Sequence, residues 1–104
     1  YKFMWKVLTR GMHGYIFVVD SSSILEVVRS RIVYDYYLSL GNYPHVIAAN
    51  KRDLPSALPL QQVAKLIGVS ENLVVPLIAK DKKSALNVVS TLVRNILLQR
   101  KILA

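Results

Sequence analysis

The chain has 104 residues, 53% of them hydrophobic, with no cysteine and a formal net charge of +8. That length suits one small domain. The lack of cysteine excludes disulfides, thiolate metal sites, thiol nucleophiles and a prenylated C-terminal cysteine; no apolar run approaches the ~20 residues that span a bilayer. So high an apolar content, in runs of about five or six residues, points to strands buried on both faces, as in parallel sheets. The basic residues are dispersed, with small clusters at Lys51-Arg52, Lys80 to Lys83 and Arg100-Lys101 and no aromatic-interleaved stripe. Solvation is their expected use, and nucleic acid is not an expected partner.

In chain order, Phe3 to Arg10 read as a short helix ending at Gly11. Gly14 to Asp20 form an unbroken apolar run tipped by an acid, a buried strand. Ser23 and Glu26 have capping-box spacing and start a helix. In it Leu25, Val28, Ile32, Tyr36 and Leu40 recur every three or four residues and are expected to face the core, with Glu26, Arg29 and Ser30 turned away. Gly41 is a natural stop. His45 to Ala49 read as a second strand. Pro55 and Pro59 bound a loop, and Pro59 suits the first position of a helix carrying Leu60, Val63, Ala64 and Ile67 and ending at Gly68. Leu73 to Ile78 read as a third strand, placed at a sheet edge because Pro76 has no N–H to donate. Leu86, Val89, Val93, Ile96 and Leu97 then stripe a long helix from about Lys82 to Lys101. This alternation implies a parallel sheet with right-handed crossovers.

Such sheets bind ligands outside the carboxyl ends of their strands. Three strands there deliver Asp20, Asn50 to Asp53 and Ala79 to Asp81 to one rim. The Asp53 carboxylate could accept both the N1–H and the 2-amino group of guanine; adenine would leave it facing a lone pair, at a cost of about 1–3 kcal/mol or more. Asn50 could bond the imidazole edge of the base and brace neighbouring loops. The Lys51 stem could lie along a flat ring with its ammonium in water. The N–H near Ala79 could reach the 6-oxo group, and Lys80 could cover the ring from a second side. Asp20 is expected to cap the helix that follows it. His13 and His45 lack partners at metal or triad spacing, so no catalytic or metal-ligating residue is assigned. Tyr34, Tyr36 and Tyr37 read as helix packing, with an exposed Tyr37 a candidate interface residue.

The string Asn50-Lys-Arg-Asp53 resembles the N-K-x-D guanine-recognition motif of Ras-like small GTPases, and Asn50 to Pro55 is most similar to the Arf-like branch and its gliding-motility relatives. Gly14 to Ser21 resembles the strand that precedes that motif. Ile78-Ala79-Lys80 is similar to the family's S-A-K loop, with Ile78 in place of the usual serine, and Phe3 to Arg10 to its aromatic-rich helix. The resemblance implies an α/β, three-layer, P-loop NTPase-type fold of which residues 1–104 are the C-terminal half, three parallel strands of six. It implies guanine binding by Asn50, Lys51, Asp53, Ala79 and Lys80. It also implies GTP or GDP with Mg²⁺ in an intact domain, and regulatory and effector proteins as partners; the expected location is the cytoplasm, with any membrane contact at most peripheral. The chain contains neither G-x-x-x-x-G-K-[ST] nor D-x-x-G, so it is expected to supply base recognition without hydrolysing GTP alone. With the family's first strand absent, Gly14 to Val19 would be an exposed edge and a route to self-association. The alternative is a non-catalytic interaction module that keeps a remnant of the fold and a basic surface.

Overall fold

A computed structural model describes the backbone of residues 4–9 and 12–103 and the side chains of residues 14–99. The chain opens with two strands, β1 (Met4–Thr9) and β2 (Met12–Asp20), paired antiparallel from Met4↔Phe17 to Thr9↔Met12. This corrects the helix expected over Phe3 to Arg10; Phe3 and Arg10 themselves lie outside the described residues. Trp5, Val7 and Thr9 are strand-forming types, and pairing with β2 outweighs the weak helical pattern.

The hairpin overturns a second expectation. Next come α1 (Ile24–Ser39), β3 (His45–Asn50), α2 (Leu60–Ile67), a 3-10 turn at Glu71–Leu73, β4 (Val74–Pro76) and α3 (Lys82–Leu103). The sheet order is β1-β2-β3-β4, so β2 has a strand on each side. Gly14 to Val19 is therefore not an open edge, and self-association through it loses its basis. β2 and β3 are parallel from Tyr15↔His45 to Asp20↔Asn50, and β3 and β4 are parallel from Ile47↔Val74 to Ala49↔Pro76. β4 lies at the edge, as Pro76 requires.

Both faces of the parallel strands are covered, which is why β2 and β3 read as unbroken apolar runs. Tyr15, Phe17, Val19, Ile47 and Ala49 pack on one face with Val27 and Tyr34 of α1 and Val63, Ala64 and Ile67 of α2. Ile16, Val18, Val46 and Ala48 pack on the other with Val88, Leu92 and Ile96 of α3. Gly14 lets α3 approach, since a Cβ there would fall 2.9 Å from Ile96 Cδ1 and 3.0 Å from the Pro44 carbonyl oxygen. Gly68 ends α2 in the left-handed region, φ 89°, and its N–H donates to the Ala64 carbonyl at 2.8 Å. Pro59 sits one residue earlier than expected, at the cap.

Two helices present a different face to the core from the one expected. α1 buries Val27, Ser30 and Tyr34. Leu25, Val28, Ile32 and Tyr36, with Leu40 just beyond the helix, are exposed, Ile32 by 75%. Ser30 tolerates burial because its hydroxyl donates to the Glu26 carbonyl one turn back, at 2.7 Å. In α3, Leu86, Val89, Val93 and Leu97 are exposed, and of the expected stripe Ile96 reaches the core. Tyr37 is half-buried against the Tyr15 and Phe17 rings, while Tyr36 is the exposed one.

Candidate functional site

The tips of the parallel strands meet because the register makes them meet. Asp20 ends β2 opposite Asn50, which ends β3. Just beyond β4, the Leu77 N–H still donates to the Ala49 carbonyl at 2.9 Å. The loop after β3 and the turn before α3 therefore start side by side, at the carboxyl end of the sheet.

The loop after β3 is bent at its second residue. Lys51 has φ 66° and is the one non-glycine with positive φ among the described residues. The left-handed region is uncommon for a side chain of this kind and needs support from its surroundings. That support comes from Arg52. Its N–H donates to the Leu77 carbonyl at 3.4 Å. Its guanidinium donates to Ser21 Oγ at 3.2 Å and to the Leu58 carbonyl. Ser21 is fully buried; its N–H and hydroxyl both donate to the Asn50 carbonyl, at 3.2 and 2.6 Å, and its own carbonyl accepts the Leu58 N–H at 2.8 Å. One arginine thus ties together the segments at residues 21, 52, 58 and 77. The Leu54 N–H closes the turn on the Lys51 carbonyl at 3.1 Å, leaving Asp53 exposed at its tip.

The neighbouring turn is held by a residue that sequence reasoning passed over. Ser84, in the first turns of α3, accepts the Ile78 N–H at 3.0 Å, and its Oγ lies 3.0 Å from the carbonyl oxygens of both Ile78 and Asp81. A hydroxyl thus braces this loop although Ile78 stands where the serine was expected. The Asp81 N–H donates to the Ile78 carbonyl at 2.8 Å, so Ala79 and Lys80 sit exposed at the turn's tip. The signal for Ser84 was its place just after Asp81, where helix-opening hydroxyls commonly bond backbone.

Asp20 does not cap α1; Ser23 does, accepting the Glu26 N–H at 3.4 Å. The Asp20 carboxylate instead accepts the Ser22 N–H and hydroxyl on Oδ1, at 2.9 and 2.6 Å, and pairs with Lys51 Nζ on Oδ2 at 2.8 Å. Burial raises the pKa of Asp20, but the Lys51 ammonium and the Ser22 hydrogen bonds outweigh it and hold the carboxyl below its ordinary value of 3.8. The structure thus brings Asn50, Lys51 and Asp53 onto one loop and Ala79 and Lys80 onto the loop beside it. Among the described residues, no group of three His, Asp or Glu side chains is placed to hold a metal ion. Nor is any helix among them long and apolar enough to cross a membrane.

No family model matches the chain. Individual proteins do match. The chain is 31% identical over 71 residues to ADP-ribosylation factor-like protein 4A of Homo sapiens and of Mus musculus, a match covering 65% of this chain and 36% of each relative. It is 33% identical over 72 residues to ADP-ribosylation factor-like protein 4C of Homo sapiens, covering 65% and 37%. The chain is related to the Arf-like small GTPases. It matches 36–37% of the length of these relatives. Three parallel strands with helices on both faces form part of the P-loop GTPase-type fold, with antiparallel β1 added beside β2. The loop from Asn50 to Asp53 and the turn at Ala79 and Lys80 are the two segments similar to that family's N-K-x-D and S-A-K motifs.

Proposed function

We propose that this chain is the guanine-reading part of a GTP-binding protein, and that the intact protein is a switch that hydrolyses GTP to GDP. One observation carries the proposal. The Asn50 to Asp53 loop and the Ala79–Lys80 turn lie side by side beyond the parallel strands, each locked through its backbone, with Asp53, Ala79 and Lys80 facing water.

Asp53 supplies two acceptor oxygens for the N1–H and 2-amino donors of guanine. The stem of Lys51 forms one wall for the ring, Asn50 meets its imidazole edge, the Ala79 N–H meets the 6-oxo group, and Lys80 covers the ring from the other side. The ligand of the intact domain is GTP or GDP with Mg²⁺, which neutralises phosphate charge there. The residues here fit the base and not the phosphates or the metal, because the sequence contains no phosphate-cradling glycine loop. Regulatory and effector proteins are the partners of such a switch, acting in the cytoplasm or at a membrane surface.

The test is an amide NMR titration of this chain with GDP and, separately, ADP at about millimolar concentration, where weak base-only binding registers. GDP is expected to shift the signals of Asn50, Lys51, Asp53, Ala79 and Lys80, and ADP is not. Equal responses to the two nucleotides, or none to either, overturn the reading. The exposed apolar stripes on α1 and α3 favour a second reading, a non-catalytic interaction module. On that reading Asp53→Asn leaves partner binding unchanged.

A further inference from the structure

The ion pair between Asp20 and Lys51 has a geometry that the base site itself does not require. Asp20 is fixed before it meets Lys51. It ends a buried strand, its side chain is 14% exposed, and both the N–H and the hydroxyl of Ser22 hold Oδ1. One carboxylate oxygen is thereby anchored, and the other is aimed at Lys51 Nζ, 2.8 Å away. Lys51, in contrast, is intrinsically loose. A lysine has four rotatable side-chain bonds and loses about as much rotamer freedom on ordering as any residue. Its left-handed backbone sets where the side chain leaves the loop, and the ion pair sets where it ends. Between those two points the methylene stem must run across the tips of β2 and β3, which pair through Asp20↔Asn50.

We infer that Asp20 is a positioning residue for the base site: by holding the Lys51 ammonium it fixes the lysine stem as a ready-made wall for the guanine ring. This rests on the guanine reading above and deepens it. Asp20 touches no ligand; it acts through Lys51. Ordering the stem before binding removes an entropic cost that the ligand would otherwise meet. The Ser22 bonds matter for the same reason, since a carboxylate free to swing would order nothing.

The test is a double-mutant cycle read by GDP titration in the NMR experiment above, using the full chain, Asp20→Asn, Lys51→Met and the pair together. Asparagine keeps an acceptor for Ser22 and removes the charge that holds Lys51; methionine keeps a stem and removes the ammonium. Asp20→Asn is expected to weaken GDP roughly two- to five-fold, the size of a partly exposed ion pair. In the Lys51→Met background the same change is expected to do nothing. A role in folding alone would instead weaken both backgrounds equally, and that result overturns the inference while leaving the guanine reading intact. GDP binding by none of the four proteins overturns the guanine reading, and this inference falls with it. Melting temperatures of all four identify any variant that has simply lost its fold.

Discussion

The two ends of the sheet use polar groups in opposite ways. At the carboxyl end, Ser21, Arg52 and Ser84 bond backbone, and Asp53, Ala79 and Lys80 are left facing water. At the other end, polar groups are folded into an aromatic cluster. The Tyr34 hydroxyl lies 2.6 Å from His45 Nε2, and His45 Nδ1 lies 2.9 Å from the Tyr43 carbonyl. Tyr15 stacks on the imidazole, centroids 4.7 Å apart and planes within 3°. Asn95 and Gln99 of α3 donate to the His45 and Asn42 carbonyls at 3.1 and 3.0 Å. The Tyr15 hydroxyl is buried there with no hydrogen-bond partner among the described residues. One end spends hydrogen bonds on shaping loops that present side chains outward; the other turns side chains inward to hold the helices.

If that division is right, substitutions at the two ends separate binding from stability. The largest expected effect is on recognition. Asp53→Asn turns one acceptor into a donor, which should cost about ten- to a hundred-fold in GDP affinity and favour a xanthine nucleotide. The melting temperature should not move, because Asp53 is exposed; competition between guanosine and xanthosine diphosphates checks it. Next, Tyr34→Phe leaves His45 Nε2 without its partner and should lower unfolding free energy by about 1–2 kcal/mol in urea, with GDP-induced NMR shifts unchanged. Ser84→Ala is expected to blur the division, since it frees the Ile78 N–H at the site itself. It should cost about 1 kcal/mol of stability and weaken GDP as well.

Acid should reach the two ends at different pH, and this is the smallest effect. Burial lowers the His45 pKa from 6.5, against the raising effect of its bond to Tyr43. The folded state therefore prefers neutral His45. Its contribution is complete above pH 6.5 and is lost as pH falls from there through the folded value. Asp20 is also depressed, from 3.8, so its contribution persists to lower pH and is lost as pH falls from about that value. Tyr34, pushed up to about 12 mainly by burial, takes no part in this range. Urea midpoints should fall between pH 7.5 and 5.5 in the native chain and stay level in His45→Phe.

The rim was legible in the sequence because strand register leaves it little freedom. Once Gly14 to Asp20 and His45 to Ala49 are parallel neighbours, Asp20 must lie beside Asn50, and the following loop must face the rim. Arg52 was hidden because it stands at the open third position of the N-K-x-D pattern, which says nothing of the residue that fills it. The helix faces misled for another reason. α1 is apolar on two sides, so Leu25, Val28, Ile32 and Tyr36 show the same spacing as a buried stripe. Ser30 reads as polar, and the backbone bond that lets it into the core is invisible in a list of residue types. The helix expected over Phe3 to Arg10 failed on partnership: a short apolar segment takes its structure from what it meets, and Met4 to Thr9 pair with β2.

Those outward stripes bear on how the molecule behaves in solution. Ile32, Tyr36, Leu86 and Leu97 are each more than half exposed, on a chain whose net charge is +8. Mutual repulsion between like-charged copies should then oppose contact between these apolar faces. Salt shortens the reach of that repulsion from about 30 Å at 0.01 M to about 3 Å at 1 M, while leaving apolar attraction in place. Light scattering by this protein should accordingly rise as salt is added and fall again on dilution, the reverse of an assembly held by ion pairs.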